Sequence, residues 1–452
     1  MPSVTAPTLG PRLVVAGTSS GVGKTTVATG LMAALRARGL AVGSAKVGPD
    51  FIDPGYHSLA TGRPPRNLDS WICGEAVVPG LAGRAAAGAD VLVVEGVMGL
   101  FDGPASTASV AALLEAPVVL VVDAAAMSGS VAAMVHGFAT FDPAVRVAGV
   151  VLNRVGSDGH EALVREAMST LDVPVLGVLR RDSAFSWRDR HLGLVPVVEQ
   201  PGLVRESIAL LAAAVERGCD LEALLRVASS APSLAVAPPP SAARVGSVRV
   251  AVAGGPAFSF MYPDNLELLA AAGAEVVPFD PMTDAALPDG VGGLVAGGGF
   301  PEVFVEALGA NRPLLEDVRR RVAGGLVTWA ECGGLLWLSQ SLDGVRLAGV
   351  VPAEGRMTDK LSLGYRTAVA TVDSPLAAAG STLRGHEFHY STLSPAGEAL
   401  LLEGRFGSGP GGFASPTMLA SYLHLHLAAA PEVAERFVAT AAAATATSTA
   451  AP

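Results

Sequence analysis

Gly17-Thr18-Ser19-Ser20-Gly21-Val22-Gly23-Lys24-Thr25-Thr26 lies between the apolar run Leu13-Val14-Val15-Ala16 and Val27-Ala28-Thr29-Gly30-Leu31-Met32-Ala33-Ala34-Leu35, whose apolar residues recur at helical spacing. A buried strand, a glycine-rich turn and a helix in that order let backbone N–H groups close around a phosphate at the positive end of the helix. Lys24 then reaches the terminal phosphates of a nucleotide such as ATP, and the Thr25 hydroxyl is placed for Mg²⁺. Gly21, Gly23 and Thr26 complete the cradle. The stretch is a variant P-loop, because Thr18 stands where the strict G-x-x-x-x-G-K-[ST] pattern has its first glycine. A glycine-rich turn without a ligand is the bland alternative; strand, Gly-Lys-Thr-Thr and helix arriving together argue against it.

Outward from this loop, the chain reads as α/β. Leu40-Ala41-Val42-Gly43-Ser44-Ala45-Lys46-Val47 is a second strand, leaving Lys46, Asp50 and Asp53 near its exit. Val91-Leu92-Val93-Val94 is an apolar strand that delivers Glu95 to the same edge. In open parallel sheets ligands bind at the carboxyl ends of strands, so these residues share a rim with the P-loop, where a carboxylate can hold Mg²⁺ directly or through water. Strands 117–122 and 147–152 end at Asp123 and Asn153; the amide of Asn153 suits the edge of an adenine, whereas Asp123 reads as a cap. After strand 174–179 come Arg180-Arg181 and Trp187-Arg188-Asp189-Arg190-His191, which could clamp a polycarboxylate or simply face solvent.

A helical pattern over 203–227 closes this half, and 229–247, containing Pro238-Pro239-Pro240, is a linker by composition. A second sheet begins at Val248-Arg249-Val250-Ala251-Val252-Ala253. Its decisive stretch is Leu326-Val327-Thr328-Trp329-Ala330-Glu331-Cys332-Gly333-Gly334-Leu335-Leu336: a buried strand, a sharp turn bearing one cysteine, and a helix. A thiol on such an elbow is exposed to substrate, has its pKa lowered by the helix end, and lies beside N–H donors for an oxyanion; Gly333 and Gly299 of the upstream Gly297-Gly298-Gly299 loop are the candidates. The base is sought in Ser421-Tyr422-Leu423-His424-Leu425-His426, whose two histidines share a side if the segment is a strand. The Ala/Thr/Ser-rich tail 439–452 is expected to be disordered.

Composition sets outer limits. At 452 residues two domains are expected, and 53 Gly, 32 Pro and few aromatics suit many tight strand-to-helix turns. A formal charge of −10 argues against a nucleic-acid surface, since phosphate neutralisation needs basic patches. No run approaches a membrane span, and residues 1–12 have neither a basic start nor an apolar signal core, so a cytoplasmic protein without membrane partners is expected. Cys73, Cys219 and Cys332 are odd in number and far apart, which disfavours a disulfide framework or a zinc knuckle.

With these residues laid out, the chain resembles the cobyrinate or hydrogenobyrinate a,c-diamide synthase family of cobalamin biosynthesis over nearly its full length. The resemblance is carried by the P-loop, Lys46-Val-Gly-Pro-Asp-Phe-Ile-Asp-Pro-Gly-Tyr-His57, Val94-Glu-Gly-Val-Met-Gly-Leu-Phe-Asp-Gly103, Arg190-His-Leu-Gly-Leu194, Gly298-Gly-Phe-Pro-Glu302, Ala330-Glu-Cys-Gly-Gly334, Gly385-His-Glu-Phe-His-Tyr390 and Ser421-Tyr-Leu-His-Leu-His426. It implies a dethiobiotin synthetase-like P-loop domain at 1–228 that binds ATP and a corrin precursor, then a flavodoxin-like class I glutamine amidotransferase domain at 248–438. It implies that L-glutamine is hydrolysed at a cysteine and that ATP activates the a and c acetates of cobyrinate or hydrogenobyrinate as acyl phosphates, which ammonia converts to amides.

By the same resemblance, Thr25, Asp50 and Glu95 form the Mg²⁺ shell, and Lys46, Asp53, Asp102, Arg190 and His191 serve the substrate. Cys332 is the nucleophile and His424 its base; a homodimer is an admissible assembly. One departure stands out: many class I glutaminases continue the histidine as His-x-Glu, whereas position 426 is histidine. The triad becomes a dyad unless another carboxylate substitutes, and Glu387 is the candidate. Two other readings compete. Partitioning ATPases carry an extra lysine where this loop has Ser19 and lack a cysteine elbow, while cobyric acid synthases share both modules and differ in the Lys46–His57 and Arg190–Leu194 segments. The lysine-poor, Ala/Arg/Gly/Pro-heavy composition leans towards the metal-free macrocycle.

Overall fold

The computed structural model describes residues 8–181, 189–190, 193–194, 197, 201–405 and 407–449. The chain divides into two compact units, 1–239 and 240–452.

The first unit is built on a seven-stranded sheet: β1 (Arg12–Gly17), β2 (Val42–Val47), β3 (Arg66–Leu68), β4 (Val91–Glu95), β5 (Val118–Asp123), β6 (Val147–Val155) and β7 (Val175–Arg180). The order is β3-β2-β4-β1-β5-β6-β7, with every neighbour parallel. β1, β2 and β4 are buried along their whole length, the pattern of strands covered by helices on both faces. From β1 the chain steps out to β2 and β3 on one side, returns to β4, and continues to β5 on the other. Strand order thus reverses about β1, and the crevice at the carboxyl ends of β1 and β4 is the switch point where such sheets bind ligands. Helix α1 (Lys24–Ala37) starts there, directly after the P-loop, and α2 (Ile52–Thr61) starts after the turn that follows β2. The expected linker is partly ordered: Leu234–Ala235 pairs antiparallel with Thr8–Leu9 and Val236 is buried, so the first unit extends past residue 228.

The second unit has a six-stranded sheet of β8 (Val248–Ala253), β9 (Ala274–Phe279), β10 (Val291–Ala296), β11 (Val327–Glu331), β14 (Phe413–Ser415) and β15 (Met418–Ser421). Its order is β9-β8-β10-β11-β15-β14; the first five strands are parallel, in the 2-1-3-4-5 arrangement of flavodoxin-like sheets, and β14 is an antiparallel edge. A second, mostly antiparallel sheet contains the long strands β12 (Glu354–Ala370) and β13 (Thr382–Ser394), the latter paired with the short β16 (His424–Leu425). Helix α3 (Pro263–Ala272) follows β8, and the single-turn helix α4 (Gly333–Leu338) follows β11.

The expectation of a disordered tail does not hold within the described residues. Helix α5 runs Pro431–Thr449, burying Val433, Ala434, Phe437, Val438 and Ala441 along one side, with Phe437 edge-on to Trp329 at 6.3 Å. Alanine is the strongest helix former, and each large apolar side chain buried on this face contributes roughly 1.5–3 kcal/mol, so packing rather than composition decides the outcome.

Candidate functional site

The P-loop closes through left-handed glycines: Gly21 has φ 78° and Gly23, which caps α1, has φ 98°. Side chains disfavour both conformations, and a β-carbon on Gly23 would also fall 2.2 Å from Nδ2 of Asn153. Lys24 folds back to donate to the Ser19 carbonyl at 2.9 Å, inside the loop it would vacate for a phosphate. Burial, aided by the Lys46 ammonium, lowers its pKa to about 8. Asn153 differs from expectation. Its Nδ2 donates to the Val22 carbonyl at 2.9 Å and its Oδ1 accepts from Arg154 N–H, so the amide braces the P-loop from beneath instead of standing open to a base. Asp123 holds the turn after its strand, accepting from Ala125 N–H and pairing with Arg154, and among the described residues caps no helix.

Beside the loop, β2 and β4 bring a lysine and a carboxylate together in the interior. Lys46 Nζ lies 2.8 Å from Glu95 and 2.6 Å from Asp53, while the second oxygen of Glu95 meets His57 Nε2 at 2.5 Å. Thr25 Oγ1 donates to Glu95 at 2.7 Å. Burial disfavours charge throughout, but Lys46 and His57 outweigh it and hold Glu95 well below the usual carboxylate range. Asp53 moves the other way, raised by burial and by the Glu95 charge against the opposing pull of Lys46. One ammonium between two carboxylates leaves the better-supported Glu95 ionised and Asp53 the readier to hold a proton. Lys46, expected to meet substrate, is therefore engaged in ion pairs at 4% side-chain exposure.

Asp50 is at the rim but also caps α2, accepting from Ile52 and Asp53 N–H at 3.1 and 2.9 Å. Asp102 accepts from Gly99 N–H at 2.9 Å and bears electrostatically on Lys24. Among the described residues no three His, Cys, Asp or Glu side chains form a ready metal cage. The donor set still fits Mg²⁺, which takes one or two protein oxygens and completes its shell with phosphates and water; Thr25 Oγ1 and Glu95 converge in that way. Arg190 falls in a two-residue strand, Asp189–Arg190, paired with Gly193–Leu194, and His191 lies outside the described residues.

In the second unit the elbow forms as expected. Cys332 has φ 47° and ψ −99°, outside the regions favoured by side-chain-bearing residues, and is held by its N–H to the Ser421 carbonyl at 2.8 Å. The Gly298–Gly299 loop presses against it: a β-carbon on Gly333 would stand 3.1 Å from Gly299 N. The two expected oxyanion donors thus lie side by side. His424 packs against Gly298, where a β-carbon would come within 2.4 Å of its ring, and against His386, stacked at 4.9 Å. Burial opposes charge on His424, but the nearby Cys332 and Glu331 prevail and raise its pKa to about 10. His386 is pushed well down, by burial first and then by the other histidines, and is neutral.

Families described as the CobQ/CobB/MinD/ParA nucleotide binding domain and the CobB/CobQ-like glutamine amidotransferase domain match residues 13–194 and 249–432. A Streptomyces coelicolor protein named hydrogenobyrinate a,c-diamide synthase is 52% identical to this chain over 95% of it and 97% of the relative. The chain belongs to the a,c-diamide synthase family. A Mycobacterium bovis relative of the same name is 47% identical over 95% of this chain and 98% of its own, and a Synechococcus relative named cobyrinate a,c-diamide synthase is 41% identical over 94% and 97%.

The second unit corrects one expectation of this family member and adds a residue, Asn265, that the sequence did not single out; His57 is a further addition in the first unit. Glu387, the candidate stand-in for the missing triad carboxylate, pairs with Arg366 at 2.7 Å. β16 ends at Leu425, so the two histidines part: His426 faces Asp264 at 3.9 Å and Tyr262, whereas His424 faces Glu331. Asn265 clamps the same turn, donating to the Leu425 carbonyl at 2.7 Å and accepting from Leu427 N–H at 2.8 Å. His57 is fully buried against Glu95; its place at the end of the Lys46–His57 motif was the one available signal.

Proposed function

We propose that the protein is a glutamine-hydrolysing ligase that amidates the a and c acetate side chains of hydrogenobyrinate or cobyrinate in cobalamin biosynthesis, using ATP. The observation that carries this reading is one chain holding both a P-loop with Lys24, Thr25 and Glu95 at a sheet switch point and a strained thiol elbow facing a buried histidine. In the glutaminase unit the Cys332 thiolate adds to the side-chain carbonyl carbon of L-glutamine, and the N–H groups of Gly299 and Gly333 receive the oxyanion. His424 gives its proton to the departing nitrogen and ammonia leaves. Water, losing a proton to His424, then opens the thioester to release glutamate and restore the thiol.

In the synthetase unit a substrate carboxylate is a poor electrophile until an oxygen attacks the γ-phosphorus of ATP, releasing ADP and leaving an acyl phosphate. Ammonia adds to that carbonyl carbon and phosphate departs with its bonding pair, giving the amide; the sequence runs once for each acetate. Lys24 follows the charge on the transferred phosphoryl group, and Asp53 or Asp102 orients the carboxylate. Bound Mg²⁺, held by Thr25 with Glu95 or Asp50, would supply charge neutralisation between the phosphates. Among the described residues no helix is long and apolar enough to cross a membrane, and a cytoplasmic location fits a biosynthetic role.

The test is to assay the purified chain with glutamine, ATP and Mg²⁺ and each macrocycle separately, hydrogenobyrinate first because relatives at 47% and 52% identity bear that name. Two amides and two ADP per macrocycle are expected. ATP turnover without amide formation, or amidation at other side chains only, would overturn the assignment.

A further inference from the structure

We propose that Glu331, the residue immediately before the nucleophile, is the positioning carboxylate of the glutaminase centre, holding His424 with its Nδ1 protonated so that Nε2 is presented to the Cys332 thiol. The inference rests on the glutaminase reading of Cys332 and His424.

Glu331 is 2% exposed, and its Oε1 is fixed by two donors, the indole N–H of Trp329 at 3.1 Å and the Leu425 N–H at 2.9 Å. That anchoring leaves Oε2 3.5 Å from Nδ1 of His424. The separation is slightly beyond an ordinary N–H···O bond, as is common for catalytic contacts that tighten only when substrate is bound. The ring has little freedom to turn elsewhere, being enclosed between Gly298 and His386. Titratable groups surround it on every side, and the other carboxylates are engaged. From α3, Asp264 faces His426; from β13, Glu387 is bound to Arg366 of β12, with His389 beyond it and neutral His386 against the ring. Among the described residues only Glu331 offers a carboxylate to Nδ1.

The topology explains how a residue next to the cysteine reaches the histidine. β11 and β15 run parallel with Glu331 opposite Ser421, and the chain turns back two residues later so that Leu425 N–H closes onto Glu331. Nucleophile and orienting carboxylate therefore come from one strand end, not from the histidine's own segment. In the resting site the proton already sits on His424 beside the Cys332 thiolate, and Glu331, through Nδ1, holds the imidazolium in place.

The experiment compares full-length wild type, Glu331→Gln and Glu331→Asp in glutamine hydrolysis across pH and in alkylation of Cys332 by iodoacetamide. Glu331→Gln should lose on the order of 100-fold or more in kcat with KM little changed, and the pH at which alkylation accelerates should move upward, because the thiolate–imidazolium pair loses its support. Glu331→Asp should recover part of the rate and the wild-type pH midpoint. A Glu331→Gln protein that melts like wild type with unchanged kcat and midpoint overturns the proposal. Should that variant fail to fold, the wild-type chain decides: a low-field imidazole N–H proton resonance that disappears in His424→Ala supports the contact, and its absence overturns it. Glutamine use surviving in Cys332→Ser would instead remove the glutaminase reading itself.

Discussion

Gly23 and Asn153 fit only because the first has no side chain: a β-carbon at position 23 would stand 2.2 Å from the Asn153 amide that bonds the Val22 carbonyl. Gly23→Ala should therefore distort the loop twice over, through the clash and through a φ of 98° that alanine resists. ATP binding, followed by calorimetry, should be lost while glutamine hydrolysis survives. Normal nucleotide affinity would show that the loop does not hold phosphate.

On the proposed mechanism, Lys24→Ala removes the charge that tracks the transferred phosphoryl group. Such contacts are typically worth about 100-fold or more in rate, so ATP-dependent amidation should fall at least that far while basal glutaminase activity persists. Synthetase turnover near wild type would be incompatible with the assignment.

The two rim carboxylates should behave differently. Glu95 is hydrogen-bonded or ion-paired to Lys46, His57 and Thr25 in a buried cluster, so Glu95→Gln leaves the buried Lys46 ammonium with Asp53 alone and should lower the melting temperature clearly, as well as Mg²⁺-dependent turnover. Asp50→Asn keeps an acceptor for the α2 cap and should lose turnover with only a small drop in melting temperature. Calorimetric melting beside kinetics with varied Mg²⁺ separates the two; equal melting would refute the buried-hub account.

Cys332→Ser should abolish glutamine-driven amidation, because an alcohol is a far weaker nucleophile than a thiolate. High external ammonia should restore product, as the P-loop unit is untouched. His424→Ala should show the same rescue, and His426→Ala a smaller defect, since His426 faces Asp264 and not Glu331. Failure of ammonia to rescue a folded Cys332→Ser protein would count against acyl-phosphate chemistry in the other unit.

His424 has a folded pKa near 10, above the ~6.5 of an unperturbed histidine. The folded state binds this proton more tightly than the unfolded chain, so the associated stability is complete below about pH 6.5 and is lost as pH rises through 10. Glutaminase activity should follow, holding through pH 8–9 and declining near 10 as the general acid is deprotonated. A profile that instead declined from pH 7 would mean that the Cys332 and Glu331 contacts do not support the ring.

How much of this was readable in the sequence depends on how local the signal is. The P-loop and the thiol elbow each lie within about a dozen consecutive residues, so strand, turn and helix announce them together. Glu331 and His424 are far apart in the chain and meet only because β11 and β15 are neighbours, a fact of sheet order that periodicity does not encode. Asn153 was expected just past a strand ending at 152, whereas β6 runs on to Val155, and its bond to Val22 depends on how the P-loop packs over that strand. Helix α5 was missed because an alanine-rich face shows no contrast between buried and exposed positions; Phe437 is its one conspicuous anchor.

The backbone at Cys332 offers a way to tell this chain's three cysteines apart without reference to any relative. Cys73 and Cys219 are buried or half-buried thiols at positions where φ is not positive. Cys332 occupies a φ of 47°, which costs a side-chain-bearing residue on the order of 1–3 kcal/mol. Selection for folding alone would favour glycine there. A thiol in place of glycine there is what the proposed nucleophile requires, a trade of stability for reactivity carried by a single dihedral angle.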